Sequence, residues 1–246
     1  MDELMEPIQR YQRQLLLPQV GKGGQEKLSA AKVLVIGAGG LGSSILYYLA
    51  AAGVGRLGIV DADVVDLTNL QRQILHWEQD IGKEKVTSAR EKLQRFNSCI
   101  DLLAYPIFFD LRAARELISQ YDLVLSAVDN MQTRDTINQG CIELGKTWID
   151  GAVRSFSGVV TTFSPPCGPC FRCLYPKASP KSEKPIPIMG TLPGVIGTLQ
   201  AQEAIKLILD IGTALIGKLL VYDALEARFE QVGVVANPDC TFCMAK

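Results

Sequence analysis

The sequence is poor in several things, and each shortage excludes a class of protein. It has one histidine, His76, beside Trp77 in a predicted turn. That single imidazole reads as an ordinary packed or surface side chain, not as a catalytic group. No apolar run reaches the roughly 18 residues of a membrane span, so no membrane is expected as a partner. Net charge is -1 and no basic run is present, which disfavours nucleic acid as a partner. The first residues, Met1-Asp2-Glu3-Leu4-Met5-Glu6, are acidic and form no apolar leader. No secretory signal is therefore expected, and the cytoplasm is the expected compartment. There is no low-complexity tract or fixed-period repeat. The seven cysteines are an odd number in a chain without a signal. That argues against a disulfide framework and leaves metal binding or thiol chemistry.

What is there suits a soluble globular chain. Hydrophobic residues make up 48% of the 246 and charged residues 21%, enough for a sizeable core in one large domain. The organising stretch is Val33-Leu34-Val35-Ile36-Gly37-Ala38-Gly39-Gly40-Leu41-Gly42. An apolar, mostly β-branched run enters a glycine turn, and Leu41, Ile45, Tyr48, Leu49 and Ala52 follow at helical spacing. Strand, tight turn and helix in this order make a phosphate-binding site, because glycines admit close approach and the helix N-terminus favours an anion. The alternative is a glycine turn that only connects two elements.

Upstream, Arg10 to Leu17 is predicted helical up to Pro18, with Arg10 and Arg13 on one face, and Gln25 to Ala31 as a second short helix. Downstream, Leu57 to Asp61 is a strand ending in a carboxylate about 20 residues past the glycines, the usual place for a ribose contact. Up to here an NAD-dependent oxidoreductase fits equally well. Asp61-Ala62-Asp63, Asn69-Leu70-Gln71-Arg72-Gln73 and Lys85 at the start of another helix do not belong to that pattern. Arg72 and Lys85 can bring two cations to the phosphate end of a nucleotide; the plainer alternative is surface salt bridging.

The alternation continues: strand Ile100 to Tyr105, helix Leu111 to Ser119, strand Leu123 to Val128 ending in Asp129-Asn130, helix Met131 to Leu144, strand Thr147 to Asp150. The fold class is α/β, a Rossmann-like doubly wound, mainly parallel sheet. Gly39, Asp61 and Asp129 each follow a strand's carboxyl end, so they should share one crevice. Ser157 to Phe163, Leu219 to Tyr222 and Ala227 to Val232 read as strands that extend the sheet in antiparallel fashion. Between them lie a Pro- and Lys-rich loop, 175–189, expected to be mobile, and a helix through Pro193 to about Leu209.

Cys170-Phe171-Arg172-Cys173 and Cys240-Thr241-Phe242-Cys243 are two C-x-x-C pairs. Together they offer four thiolates to one tetrahedral ion with no position left for water, the pattern of structural zinc. Cys167 is an extra thiol beside the first pair. Cys99 and Cys141 are expected to be buried and inert.

Taken together, these residues resemble the MoeB/ThiF/HesA family, bacterial relatives of ubiquitin-activating enzymes. The resemblance runs from Arg10 to Cys243 and rests on Arg10-Tyr11-x-Arg13-Gln14, the glycine turn, Asp61-x-Asp63, Asn69 to Gln73, Lys85, Asp129-Asn130, both cysteine pairs and Gly197-x-Leu199-Gln200-Ala201-x-Glu203-Ala204. It implies one adenylation domain over 1–246, with N-terminal helices (1–31), a nucleotide half (32–151), and an antiparallel extension carrying the loop and the zinc site (152–246). It implies ATP and magnesium, and adenylation of the C-terminal glycine of a ubiquitin-like sulfur carrier ending in Gly-Gly. Gly37, Gly39, Gly40, Gly42, Asp61, Asp63, Asn69, Gln73 and Asn130 then line the nucleotide. Arg72 and Lys85 meet the phosphates and Asp129 ligates magnesium. Arg13 reaches the other subunit's site in a homodimer. Many members carry a cysteine in the loop before the Pro193 helix; 181–189 has none, so no thioester is expected there. With no sulfurtransferase domain expected after Cys243, the acyl-adenylate is the expected end product. A relative that adenylates some other carboxylate is the remaining alternative.

Overall fold

A computed structural model describes residues 9–165, 167–177 and 187–243. The strands are β1 (Lys32–Ile36), β2 (Arg56–Val60), β3 (Asp101–Tyr105), β4 (Leu123–Ser126), β5 (Trp148–Arg154), β6 (Ser157–Phe163), β7 (Lys218–Asp223) and β8 (Arg228–Gly233). They form one sheet in the order β3-β2-β1-β4-β5-β6-β7-β8. The first five are mutually parallel, and β6, β7 and β8 pair antiparallel. The central strands β1, β2 and β4 are near-continuous apolar runs because both of their faces are covered. Successive side chains of β1 serve opposite cores: Val33 and Val35 one, Leu34 and Ile36 the other.

The helices are α1 (Gln12–Leu15), α2 (Gly21–Ala30), α3 (Gly40–Ala52), α4 (Lys85–Phe96), α5 (Leu111–Ile118), α6 (Met131–Leu144), α7 (Phe171–Leu174) and α8 (Thr191–Leu209). Ile45 and Leu49 of α3, Val86 and Leu93 of α4, and Ile196 and Ala204 of α8 fill the first core. Leu117 of α5, Ile137 of α6, Phe171 and Trp148 fill the second. The sheet is therefore doubly wound, as expected, and extended by antiparallel strands. Strand order reverses beside β1, between β2 and β4, so a crevice opens beyond their carboxyl ends.

Local differences from expectation have packing causes. Helix α2 starts at Gly21, four residues early. Glycine is a poor helix former, but a Cβ on Gly24 would lie 3.1 Å from Val20 and 3.2 Å from Leu209 of α8, so the bare backbone permits that approach. The expected helix from Arg10 is interrupted at Tyr11, whose ring is buried against Gly53 and whose hydroxyl accepts from Asn97 at 2.9 Å. Strand β4 ends at Ser126, before Val128, while β5 runs on past Asp150 to Arg154 and turns into β6 through Ser155, at φ 53°. Of the loop expected to be mobile, 178–186 lie outside the described residues. Among the described residues no helix is long and apolar enough to cross a membrane.

Candidate nucleotide site and thiol cluster

The glycine turn works only without side chains. Gly37 has φ 103°, and a Cβ there would sit 2.5 Å from the Ala127 carbonyl oxygen. A Cβ on Gly42 would lie 2.0 Å from the Gly37 carbonyl oxygen. The turn is pinned on both sides: Gly37 N–H donates to Val60 at 2.7 Å, and Ala127 N–H donates to Ile36 at 2.7 Å. Helix α3 then begins with no side-chain cap. Its first amides remain available to an anion. Helix α8 and the 69–73 segment wall the turn. A Cβ on Gly40 would be 3.0 Å from Pro193 and 3.4 Å from Arg72, and one on Gly39 would be 3.5 Å from Gln73 Nε2.

The acids and bases of the next segment are already organised. Asp61 accepts from Ala38 N–H at 2.8 Å and from Asp63 N–H at 2.9 Å. The carboxylate expected to meet a ribose thus also braces the turn. Lys85, with its side chain 7% exposed, puts Nζ 2.8 Å from an Asp63 oxygen, and that carboxylate is 68% exposed. A nearly buried cation therefore stands at the crevice mouth. Asn69 accepts from Asp66 N–H at 3.3 Å in a small capping box, and the Arg72 guanidinium donates to the Thr68 carbonyl at 3.1 Å. Gln73 is buried, and its Oε1 has no partner among the described residues.

Asp129 lies exposed just past β4, in no salt bridge among the described residues. Asn130 caps α6, accepting from Thr133 N–H at 2.8 Å. Sequence reasoning missed Arg134, one helical turn further on. Its buried guanidinium donates to Asp150 at 3.0 Å, to the Val128 carbonyl at 2.7 Å and to the Gly151 carbonyl at 3.0 Å. It fixes the backbone that carries Asp129. The signal was an arginine four residues after the cap, on the same helix face.

Arg13 is not brought to these groups within its own chain. Gln14 of α1 donates to the Ala52 carbonyl at 3.2 Å, at the C-terminal end of α3. The glycine turn is at the opposite end, about 18 Å away along the helix at about 1.5 Å per residue. Arg13 itself is exposed.

The thiols of Cys170, Cys173, Cys240 and Cys243 all lie within 4.8 Å of one another. Individual sulfur pairs are 3.9, 3.6 and 3.5 Å apart. A tetrahedral ion with Zn–S near 2.3 Å requires about 3.8 Å between sulfurs, so the cluster fits zinc. Burial raises Cys170 to about 11. Burial opposes ionisation of Cys240 too, but backbone N–H groups of Cys243 and Phe242 and the neighbouring thiols outweigh it and bring its pKa down to about 7. Cys167 lies outside this group of four. Cys141 is buried, as expected, and burial raises its pKa. Cys99 is exposed, contrary to expectation, because it falls in the turn after Asn97, whose side chain accepts its N–H at 3.2 Å.

The ThiF family model matches residues 11–242. The sulfur carrier protein adenylyltransferase of Thermus thermophilus is 45% identical, over 97% of this chain and 91% of that protein. The SAMP-activating enzyme E1 of Haloferax volcanii is 41% identical, over 96% of this chain and 88% of that one. Adenylyltransferase and sulfurtransferase MOCS3-1 of Zea mays is 45% identical over 96% of this chain, which spans 52% of the maize protein. Among solved structures, E. coli MccB with ATP superposes at a TM-score of 0.84 over 95% of this chain and 74% of that one, at 23% identity, a likeness of fold.

Proposed function

We infer that this chain, which belongs to the ThiF family, adenylates the C-terminal glycine carboxylate of a small ubiquitin-like sulfur carrier protein. ATP is the second substrate; acyl-adenylate and pyrophosphate are the products. What supports this reading most is the near-full-length likeness to the Thermus adenylyltransferase. An NAD-linked oxidoreductase is not favoured, since it leaves Arg72, Lys85 and the thiol cluster without a role.

The crevice suits the chemistry. The nucleophile is a terminal carboxylate, ionised above about pH 4, so no side chain need act as base. One carboxylate oxygen attacks the α-phosphorus in line. The bond from that phosphorus to the bridging oxygen breaks, and its electron pair leaves with pyrophosphate. Two unit anions at about 4 Å repel by about 1 kcal/mol in water and about 4 kcal/mol at an effective dielectric of 20. Placed cations offset that cost and favour the transition state. Lys85 and Arg72 are assigned this role, with Arg13 of the partner subunit.

Gly37, Gly39, Gly40 and Gly42 are assigned to the phosphates, with Asn69 and Gln73 beside them. Asp61 is assigned to the ribose, and Asp63 orients Lys85. Magnesium suits one exposed carboxylate completed by phosphate oxygens and water, the donor set that Asp129 offers beside Asn130; bound there it would add positive charge at the phosphates. Zinc on the four thiols would serve as a structural tie. The remoteness of Arg13 from its own crevice supports a homodimer with shared sites. Leu16 and Leu17 beside it are 73% and 51% exposed, apolar area that a second copy would cover.

The test is carrier-dependent exchange of labelled pyrophosphate into ATP, with magnesium and a panel of carriers ending in Gly-Gly. Exchange with one of them supports the reading. No exchange and no AMP-capped carrier across the panel overturns it.

A further inference from the structure

His76, the chain's one imidazole, is buried beneath the glycine turn. Nε2 lies 2.8 Å from the Ala38 carbonyl oxygen, and Nδ1 lies 2.8 Å from Ser88 Oγ. Ser88 Oγ is also 2.9 Å from Lys92 Nζ. Lys92 pairs with Asp80; their side chains are 6% and 4% exposed. Asp80 in turn accepts from Trp77 N–H at 2.8 Å.

Donor bookkeeping assigns the protons. A carbonyl only accepts, so Nε2 carries a hydrogen. An ammonium only donates, so Ser88 Oγ accepts from Lys92. The hydroxyl's own hydrogen has two acceptors in reach, Nδ1 at 2.8 Å and the Asp80 carboxylate. Asp80 is already served by Lys92 and by Trp77 N–H, which leaves that hydrogen for Nδ1. The imidazole is then the neutral Nε2–H tautomer. Burial, together with Lys92 and Lys85 nearby, lowers its pKa and keeps it neutral, against the opposing pull of Asp80 and the Ala38 bond.

The consequence reaches the turn. In a planar trans peptide, C=O and N–H point in opposite directions. Holding the Ala38 carbonyl back on His76 aims the Gly39 N–H the other way, and that N–H has no protein partner among the described residues. On the near side, Ala38 N–H is held by Asp61. Both peptides that flank Ala38 are therefore oriented by side chains, one by Asp61 and the other by His76.

We propose that His76 is a positioning residue for the nucleotide. As the neutral Nε2–H tautomer, set by Ser88, Lys92 and Asp80, it pins the Ala38 carbonyl and so presents the Gly39 amide to phosphate. This rests on the nucleotide reading of the turn.

The single histidine makes the test direct. In protein labelled with ¹⁵N-histidine, one imidazole spin system reports the tautomer without assignment. The expected result at pH 7.5 is a protonated Nε2 and an unprotonated Nδ1. The opposite tautomer, a mixture or an imidazolium overturns the proposal. Magnesium–ATP titration of His76→Gln and His76→Met then reads the consequence. The glutamine side chain can return an N–H donor; methionine cannot. Loss of a donor to a buried carbonyl should weaken ATP binding about tenfold or more in His76→Met, with His76→Gln recovering most of it. Equal loss in both variants, or loss in neither, overturns the donor role. If His76→Met does not fold, Ser88→Ala decides: a shifted tautomer with weaker ATP binding supports the relay, and no change in either overturns it. Failure of the wild type to bind ATP overturns the adenylation reading as well. Normal wild-type binding with indifferent variants overturns this proposal alone.

Discussion

Replacing Arg134 with methionine tests whether a buried charge pair holds the site's backbone. The Arg134 and Asp150 side chains are 8% and 4% exposed and 3.0 Å apart. Methionine fills similar space but leaves Asp150 as a buried charge with no cation beside it. Breaking such a pair from one side costs about 3–5 kcal/mol. In a chain of this size 1 kcal/mol moves Tm by about 2–4 °C, so a fall of about 6–20 °C is expected. Adding Asp150→Asn removes the stranded charge and should restore about 2 kcal/mol or more. Denaturant unfolding of the four members of the cycle gives both numbers. Pyrophosphate exchange adds a second reading. Arg134 also holds the Val128 carbonyl, next to Asp129. A displacement of about 1 Å can cost about 100-fold in rate, so the folded double variant should stay impaired. A single variant within about 1 kcal/mol of wild type, or a double variant no more stable than the single, refutes the pairing argument. Full exchange activity in the double variant refutes the placement of Asp129 by Arg134.

Three further outcomes are measurable. Arg13→Ala and Asp129→Ala should each abolish exchange, and confirmed heterodimers of the two should regain it through one intact site; no recovery counts against sites shared between subunits. Purified protein should carry zinc equimolar with chain, and Cys240→Ser should lose zinc and stability together; wild-type protein free of zinc yet equally stable refutes the tie. His76, held below its ordinary pKa of 6.5 by burial, takes up a proton more readily unfolded than folded. Its contribution to stability is therefore fully present above about pH 6.5 and is lost as pH falls. Stability of His76→Gln should decline less steeply than wild type between about pH 7 and pH 5, and identical slopes refute the argument.

The sheet was legible because its signals are local. Apolar runs such as Val33 to Ile36 and Leu123 to Leu125 declare buried parallel strands, and the glycine turn follows β1 in the expected way. The two C-x-x-C pairs announced a cluster whose sulfurs do converge. What escaped the sequence depends on tertiary contact. No spacing rule says that Gly24 meets Leu209, that Arg134 reaches the carbonyls of Val128 and Gly151, or that Cys99 turns outward. His76 was readable as a packed residue, but its position beneath Ala38 follows from the path of residues 69–80 back under the turn. The assignment of Arg13 to another subunit's crevice came from the resemblance; its distance along α3 is a property of the folded chain.

Joined through a metal, the two sulfur pairs would close a ring of about 70 residues, since Cys170 and Cys240, and Cys173 and Cys243, are each 70 positions apart. That ring contains α8, β7 and β8, the whole far edge of the sheet. A cross-link of this span removes about 4 kcal/mol worth of freedom from the unfolded chain. The entropy of closure grows only with the logarithm of ring size, about 0.6 kcal/mol per doubling. A change of several residues in the length of this ring would therefore barely alter the tie that anchors the edge strands.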